Sequence, residues 1–168
     1  MSDSISQTSA GKLQAVEQFR EHPAVKALLG GNAQALTGAK FDRGEFTLNV
    51  APEEIRAACA TLQAAGYNYF EDMTAVDWFP SAPRFQLSYH LLSHARKERI
   101  RVCVWLAEDD SSVESITSVW PAADFYEREV FDLFGIRFEG HPNLRRILMP
   151  DDWEGHPLRK DYPVEGYR

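Results

Sequence analysis

The residues of this chain that could do chemistry gather near its end. His141, Asp151, Asp152 and His156 are all ligand types for zinc or another divalent ion, and together they would suit a metal-dependent enzyme. Their spacing argues otherwise. Both histidines precede a proline and the intervals are loose. Each His-Pro pair therefore reads as the start of an extended turn whose imidazole bonds a backbone group. Arg145-Arg146 has the fork geometry to hold a phosphate or carboxylate, although pairing with acids of a partner or of the same segment is the plainer reading. Arg159-Lys160-Asp161 reads the same way. Elsewhere the chain has no glycine-rich phosphate loop and no Ser, Cys or Lys in a nucleophile setting. Cys59 and Cys103 cannot supply the four thiolates of an iron–sulfur cluster. His90, on the polar side of a strand, and His94, in a turn, read as solvent-facing. No catalytic, cofactor or metal residue is assigned.

The elements that must position these residues belong to one domain of 168 residues, long enough to bury a core. A formal net charge of -7 argues against nucleic-acid binding. No apolar run approaches the ~20 residues of a membrane span, and the N-terminus lacks a secretory layout. The two cysteines read as reduced and buried, which fits a cytoplasmic protein.

Met1–Ala10 is serine-rich and reads as frayed. A short helix is expected from Lys12, interrupted by His22-Pro23 and ending at Gly30-Gly31. Residues 34–41 are weakly strand-like, and Asp42-Arg43-Gly44 turns them into an alternating run of Phe46, Leu48 and Val50. Pro52-Glu53-Glu54 opens a helix whose apolar stripe is Ile55, Ala58, Cys59 and Leu62. A strand is expected over Phe70–Val76. A longer hairpin follows, with Phe85, Leu87, Tyr89 and Leu91 on one limb and Ile100, Val102 and Val104 on the other. The expected fold is α+β: a two-layer domain with helices packed on a mixed, mainly antiparallel sheet.

Tyr126 to Pro163 reads differently. Tyr126, Val130, Leu133 and Phe134 form a helical stripe that Pro121 could start and Gly135 could end with a positive φ. Asp124, Arg128 and Asp132 fall four apart on another face, where opposite charges can pair. Ile136 and Phe138 flank Arg137 in a short strand. The rest carries Pro142, Pro150, Pro157 and Pro163, which leave no room for a helix of ordinary length. Yet Trp153, Tyr162, Leu144, Ile147, Leu148 and Met149 are not the composition of a disordered linker. An extended irregular arm is expected, ordering only against a surface large enough to offset its conformational entropy. The organisation is then a flexible N-terminus over 1–11, a domain over 12–138 and an arm over 139–168.

The run EREVFDLFGIRFEGHPNLRRILMPDDWEGHPLRKDYP, within Trp120–Pro163, resembles the signature of the C subunit (the 30-kDa-type subunit) of proton-translocating NADH–quinone oxidoreductase, respiratory complex I. FEDMTAVDWFP, over Phe70–Pro80, is similar to that family as well. The resemblance implies a non-redox structural subunit of the hydrophilic arm of the complex. Its partners would be the D and B subunits, on the cytoplasmic face of the inner membrane, with membrane association only through the complex. It implies no cofactor in this chain, with FMN, Fe–S clusters and quinone held by other subunits. The motif positions are Glu127, Arg128, Glu129, Asp132, Gly140, His141, Pro142, Arg145 and Arg146. Partner contacts along the arm are expected at Asp151, Asp152, Gly155, His156, Pro157, Leu158, Arg159, Lys160, Asp161, Tyr162 and Pro163. A chain stopping at Arg168 resembles the form not fused to the D subunit. The other readings are the equivalent subunit of a membrane-bound hydrogenase or formate hydrogenlyase, and a stand-alone metal-dependent enzyme.

Overall fold

Alternating apolar residues in the middle of the chain build a five-stranded sheet. The computed structural model describes residues 16–166. The strands are β1 (Leu36–Asp42), β2 (Glu45–Val50), β3 (Tyr69–Asp77), β4 (Phe85–Ser93) and β5 (Glu98–Leu106). The helices are α1 (Pro23–Gly31), α2 (Ile55–Ala64) and α3 (Ala123–Phe134). The fraying expected for Met1–Ala10 and the helix start expected at Lys12 lie outside the described residues.

The sheet order is β1-β2-β5-β4-β3. Both expected hairpins form, β1 with β2 and β4 with β5, and β3 adds antiparallel to β4. The two hairpins join through a parallel pairing, with Phe46 opposite Ile100 and Leu48 opposite Val102. This makes the sheet mixed. A strand not foreseen, β6 (Ser112–Glu114), pairs parallel with β7 (Arg137–Glu139) in a two-stranded ribbon. Three residues with one central valine are too short to show alternation.

Period-2 alternation gives the sheet two unlike faces. Phe85, Leu87, Tyr89 and Leu91 are fully buried in one core with Val25 and Leu28 of α1, Ile55 and Leu62 of α2, and Val130 of α3. Each buried Leu or Ile contributes roughly 2 kcal/mol to stability. The opposite face is polar and partly closed by its own side chains. Arg101 donates to the Thr47 hydroxyl at 3.0 Å and pairs with Glu45 at 2.9 Å. His90, expected to face solvent, instead donates to Asp72 at 2.6 Å and lies 3.6 Å from Glu45. Cross-strand neighbours on one face are close enough for such pairing, which the sequence spacing does not show. His94 is exposed as expected.

Helix α3 begins two residues after Pro121, which lies in the preceding turn, and ends on Gly135 with φ +73°. Its apolar stripe packs on β3, where Phe70 meets Tyr126 edge-on at 5.5 Å and stacks near Trp120 at 5.8 Å. The helix delivers its C-terminal end to the arm.

Candidate functional site

The last four carbonyls of a helix have no partner within it. In α3 these belong to Phe131, Asp132, Leu133 and Phe134, and three of the four are capped by the arm. The Gly135 N–H takes the Phe131 carbonyl at 2.9 Å. His156 Nδ1 donates to the Asp132 carbonyl at 2.9 Å, and Arg146 adds a second donor at 3.1 Å. The Leu158 N–H reaches the Leu133 carbonyl at 3.0 Å. Arg159 Nε reaches the Phe134 carbonyl at 2.6 Å. The arm is the C-cap of α3, and two of its donors are guanidinium groups, which suits the negative end of a helix dipole. Gly135 is required twice over. A Cβ there would meet the His156 ring at 2.5 Å and Arg159 at 2.8 Å, besides the strain of its positive φ.

Asp132 anchors the same end through its side chain. It is fully buried. One oxygen takes Arg146 at 2.6 Å, and the other takes three successive backbone N–H groups, Ile147 at 3.0 Å, Leu148 at 2.8 Å and Met149 at 2.9 Å. Burial alone would raise this carboxyl. The N–H donors and Arg146 outweigh it and hold the group below its ordinary value. Arg146 continues to the carbonyls of Trp153 at 2.9 Å and Gly155 at 3.0 Å, while Arg128 donates to those of Arg145 and Arg146 at 3.2 and 3.1 Å. Irregular backbone is thus satisfied group by group.

A second anchor lies further along the arm, at Asp161. Arg84, 2 % exposed, holds Asp77 with two nitrogens at 3.0 and 2.8 Å and Asp161 with two at 3.1 and 2.6 Å, and also pairs with Glu108. The Lys160 N–H donates to Asp77 at 2.8 Å. Burial would raise the Asp77 carboxyl, but Arg84 and the N–H groups of Lys160 and Phe79 pull it down to about 2. The Asp161 carboxyl is lowered by Arg84. The guanidinium carbons of Arg84 and Arg159 lie 5.0 and 5.2 Å from the Phe85 ring centre.

Glu127 is buried beside the start of the arm. It accepts the Ile116 N–H at 2.7 Å and the Ser115 hydroxyl at 2.6 Å. Burial raises its carboxyl to about 7 against those two hydrogen bonds, with the Asp124 charge adding to the rise. His141 lies 3.9 Å away, donates to the Asp124 carbonyl at 3.3 Å and accepts the Asn143 N–H at 3.0 Å.

These contacts sort the expected interface residues. Glu127 and Asp132 are buried and hold the chain to itself, and Arg146, His156, Arg159 and Asp161 are engaged in the same way. Through these contacts the arm lies against its own domain, which supplies a surface for its polar groups. Asp132 bonds the arm, leaving only Arg128 and Asp124, 3.9 Å apart, of the charge row expected along α3. Both imidazoles bond backbone groups, as the His-Pro reading holds. Among the described residues no cluster of three His, Cys, Asp or Glu side chains is arranged to hold a metal ion. Outward-facing positions are Glu129, Gly140, Pro142, Arg145, Asp151, Asp152, Lys160 and Pro163, with Gly155, Pro157 and Tyr162 half-buried. Leu148, Leu158 and Trp153 are 60, 50 and 38 % exposed. Sequence reasoning missed Arg84, Asp77 and Ser115. The one signal for Asp77 was its place in FEDMTAVDWFP, a segment singled out with no role attached.

The family of the 30 Kd subunit of respiratory-chain NADH dehydrogenase matches residues 48–168, which takes in most of the sheet, α3 and the arm. The chain belongs to that family. A relative from Citrifermentans bemidjiense, named as the C subunit of NADH-quinone oxidoreductase, is 50 % identical over 135 residues, or 80 % of this chain and 84 % of that protein. A protein of the same name from Roseiflexus castenholzii is 45 % identical over 148 residues, 86 % of this chain and 85 % of its own. Among solved structures, a trypsin-resistant fragment of Nqo5 superposes with a TM-score of 0.63 at 30 % identity, covering 73 % of this chain and 99 % of that one. A chain of the membrane-bound sulfane sulfur reductase, an archaeal respiratory membrane complex, superposes with a TM-score of 0.72 at 27 % identity, covering 86 % of each. Members of this 30 Kd family are parts of an oxidoreductase complex. Among the described residues no helix is long and apolar enough to cross a membrane.

Proposed function

We propose that this chain is a non-redox structural subunit that supports assembly of the quinone-reducing part of NADH–quinone oxidoreductase. In this reading the arm lies against the D and B subunits on the cytoplasmic side. Electron transfer from NADH through FMN and Fe–S clusters to quinone, coupled to proton translocation, then belongs to the other subunits. One observation carries the reading. Two buried anchors, Asp132 and Arg84, fasten the arm inward through Arg146, three backbone N–H groups and Asp161, while Leu148, Trp153 and Leu158 are left outward on a backbone already held in shape. A preorganised segment loses less conformational entropy on association, so exposed apolar side chains on it are worth more to a partner.

Leu158→Asp with Arg145→Glu tests this. The expected result is loss of co-purification with the D and B subunits from native membranes, with the isolated chain melting within about 2 °C of the parent because both residues are exposed. Unchanged co-purification would remove the outer face of the arm from the interface. The likeness to the sulfane sulfur reductase chain favours one second reading, the equivalent subunit of a related membrane-bound complex such as a hydrogenase or formate hydrogenlyase. Co-purification of an NADH-oxidising module separates the two.

A further inference from the structure

Beyond the arm, the polar face of the sheet carries a feature that neither anchor uses. At one end of that face Trp105 of β5, Gln86 of β4 and Trp78, the residue after β3, lie in a row. Gln86 is the register partner of Trp105, and Trp78 Nε1 donates to the Gln86 side-chain Oε1 at 3.1 Å. The two indoles lie 6.1 Å apart, tilted by 37°, and remain 47 and 36 % exposed. They floor an open groove of about 640 Å³ with Pro52 and Pro83 among its walls. Two tryptophans held in place beneath an open groove are unusual on a monomer's surface and mark a binding face.

A second groove of about 550 Å³ continues from the first and shares Pro52, Glu53, Pro83 and Trp105 with it. Its rim holds four carboxylates, Glu53, Asp110, Glu114 and Glu139. Glu114 pairs with Arg56 at 2.7 Å, and Asp110 accepts the Ser112 hydroxyl at 3.1 Å. Glu53, Asp110 and Glu139 form no ion pair among the described residues, and neither groove is lined by a lysine or arginine.

We propose that these joined grooves take an extended basic segment of another subunit. That segment lays a proline or aliphatic side chain on the tryptophan shelf and an adjacent arginine or lysine across the carboxylate rim. Charge complementarity selects the occupant. Uncompensated carboxylates attract a cation and repel anionic lipid headgroups and nucleic acid, and indole faces add a cation–π contribution. A second copy of this chain is a poor occupant. Its own basic stretches are fixed in place: Arg146 and Arg159 bind Asp132 and the end of α3, and the Lys160 N–H binds Asp77, so the exposed Arg145 and Lys160 side chains sit on backbone that is not free to extend along a groove. The site also continues from the arm, because Pro83, in the groove wall, precedes the Arg84 that grips Asp161.

The proposal rests on the chain working inside a multisubunit complex, and it is independent of arm docking. The test places the photo-crosslinker p-benzoylphenylalanine at Thr37, an exposed lining residue, in the assembled complex, with the same probe at Leu158 as the arm reference. The expected product joins Thr37 to another subunit within three residues of an arginine or lysine. Its yield should fall roughly tenfold in a Glu53→Lys/Glu139→Lys background, where both changed residues are exposed. Four results would overturn the groove: no cross-link from Thr37, a cross-link only to lipid or a second copy, a peptide with no nearby cation, or a yield insensitive to charge reversal. A product from Leu158 without one from Thr37 sinks the groove and leaves the arm. The converse sinks the arm reading and leaves the groove.

Discussion

Asp132 and Arg84 fasten the same arm by opposite means. Asp132 is a buried anion ringed by donors, and Arg84 is a buried cation ringed by carboxylates. Three of the groups on Asp132 are backbone N–H, so this anchor reads the course of the chain through Ile147, Leu148 and Met149 and is indifferent to their side chains. Arg84 reads side chains, and its grip depends on Asp77, Glu108 and Asp161 being acids. The two also differ in shielding. Asp132 has no exposed surface, whereas the Asp161 and Glu108 side chains are 44 and 58 % exposed, so water can take over from them when the pair is broken. One anchor shapes the arm, and the other pins its end.

The largest expected effect follows from that difference. Asp132→Ala leaves three backbone N–H groups without their acceptor and Arg146 without its counter-charge, while the backbone carbonyl that His156 caps remains. It should cost about 4 kcal/mol in urea unfolding and open the Arg145–Arg159 stretch to trypsin. A cost below about 1 kcal/mol would mean that the arm holds without this anchor.

Arg84→Met should cost about 3 kcal/mol, because Asp77 stays buried without its cation. The sign of its pH dependence is set by the lowered Asp77 carboxyl. The parent chain has this stability above the ordinary carboxylate range and loses it as pH falls from about 4 through about 2. Stability curves of the variant should lack that acid limb. If they keep it, the ion pairs around Arg84 do not hold the end of the arm.

Glu127 sharpens the comparison from the other side, as a buried carboxyl with two neutral donors and no cation. Its neighbours are Asp124 and His141 near the arm, Ser115, and, from α2 and β4, Cys59 and Tyr89. With a folded value near 7, it stays protonated while the unfolded chain ionises. Folding should therefore lose up to about 3 kcal/mol as pH rises from about 4.5 to 7. Glu127→Gln should remove that slope and leave the variant the more stable of the two at pH 8 by about 2 kcal/mol, net of imperfect replacement of its hydrogen bonds. Parallel pH curves for the two proteins would show that Glu127 is ionised in the fold.

Much of this was legible beforehand where the pattern is local. Strict alternation in Phe85–Leu91 marked β4, and a glycine after Phe134 marked the left-handed cap, since both signals lie within a few residues of what they specify. The parallel seam between β2 and β5 was not legible, because it joins residues some fifty positions apart and each strand alternates the same way whichever neighbour it has. The same limit explains Arg84. It sits between two hydrophobic stretches, and only the fold brings Asp77 and Asp161 to it.

The chain's own order of residues determined the number of main strands, the helix faces, the irregular arm and, through a long uncommon motif, the family. Tertiary structure alone decided which way the arm's polar groups point. Asp132, Arg146 and His156 look like surface residues when read along the chain, and they became internal because a helix end with open carbonyls lay within reach. Unpaired backbone groups and buried charges are costly, so the nearest complementary group captures them. Which group is nearest is a property of three dimensions, not of spacing along the chain.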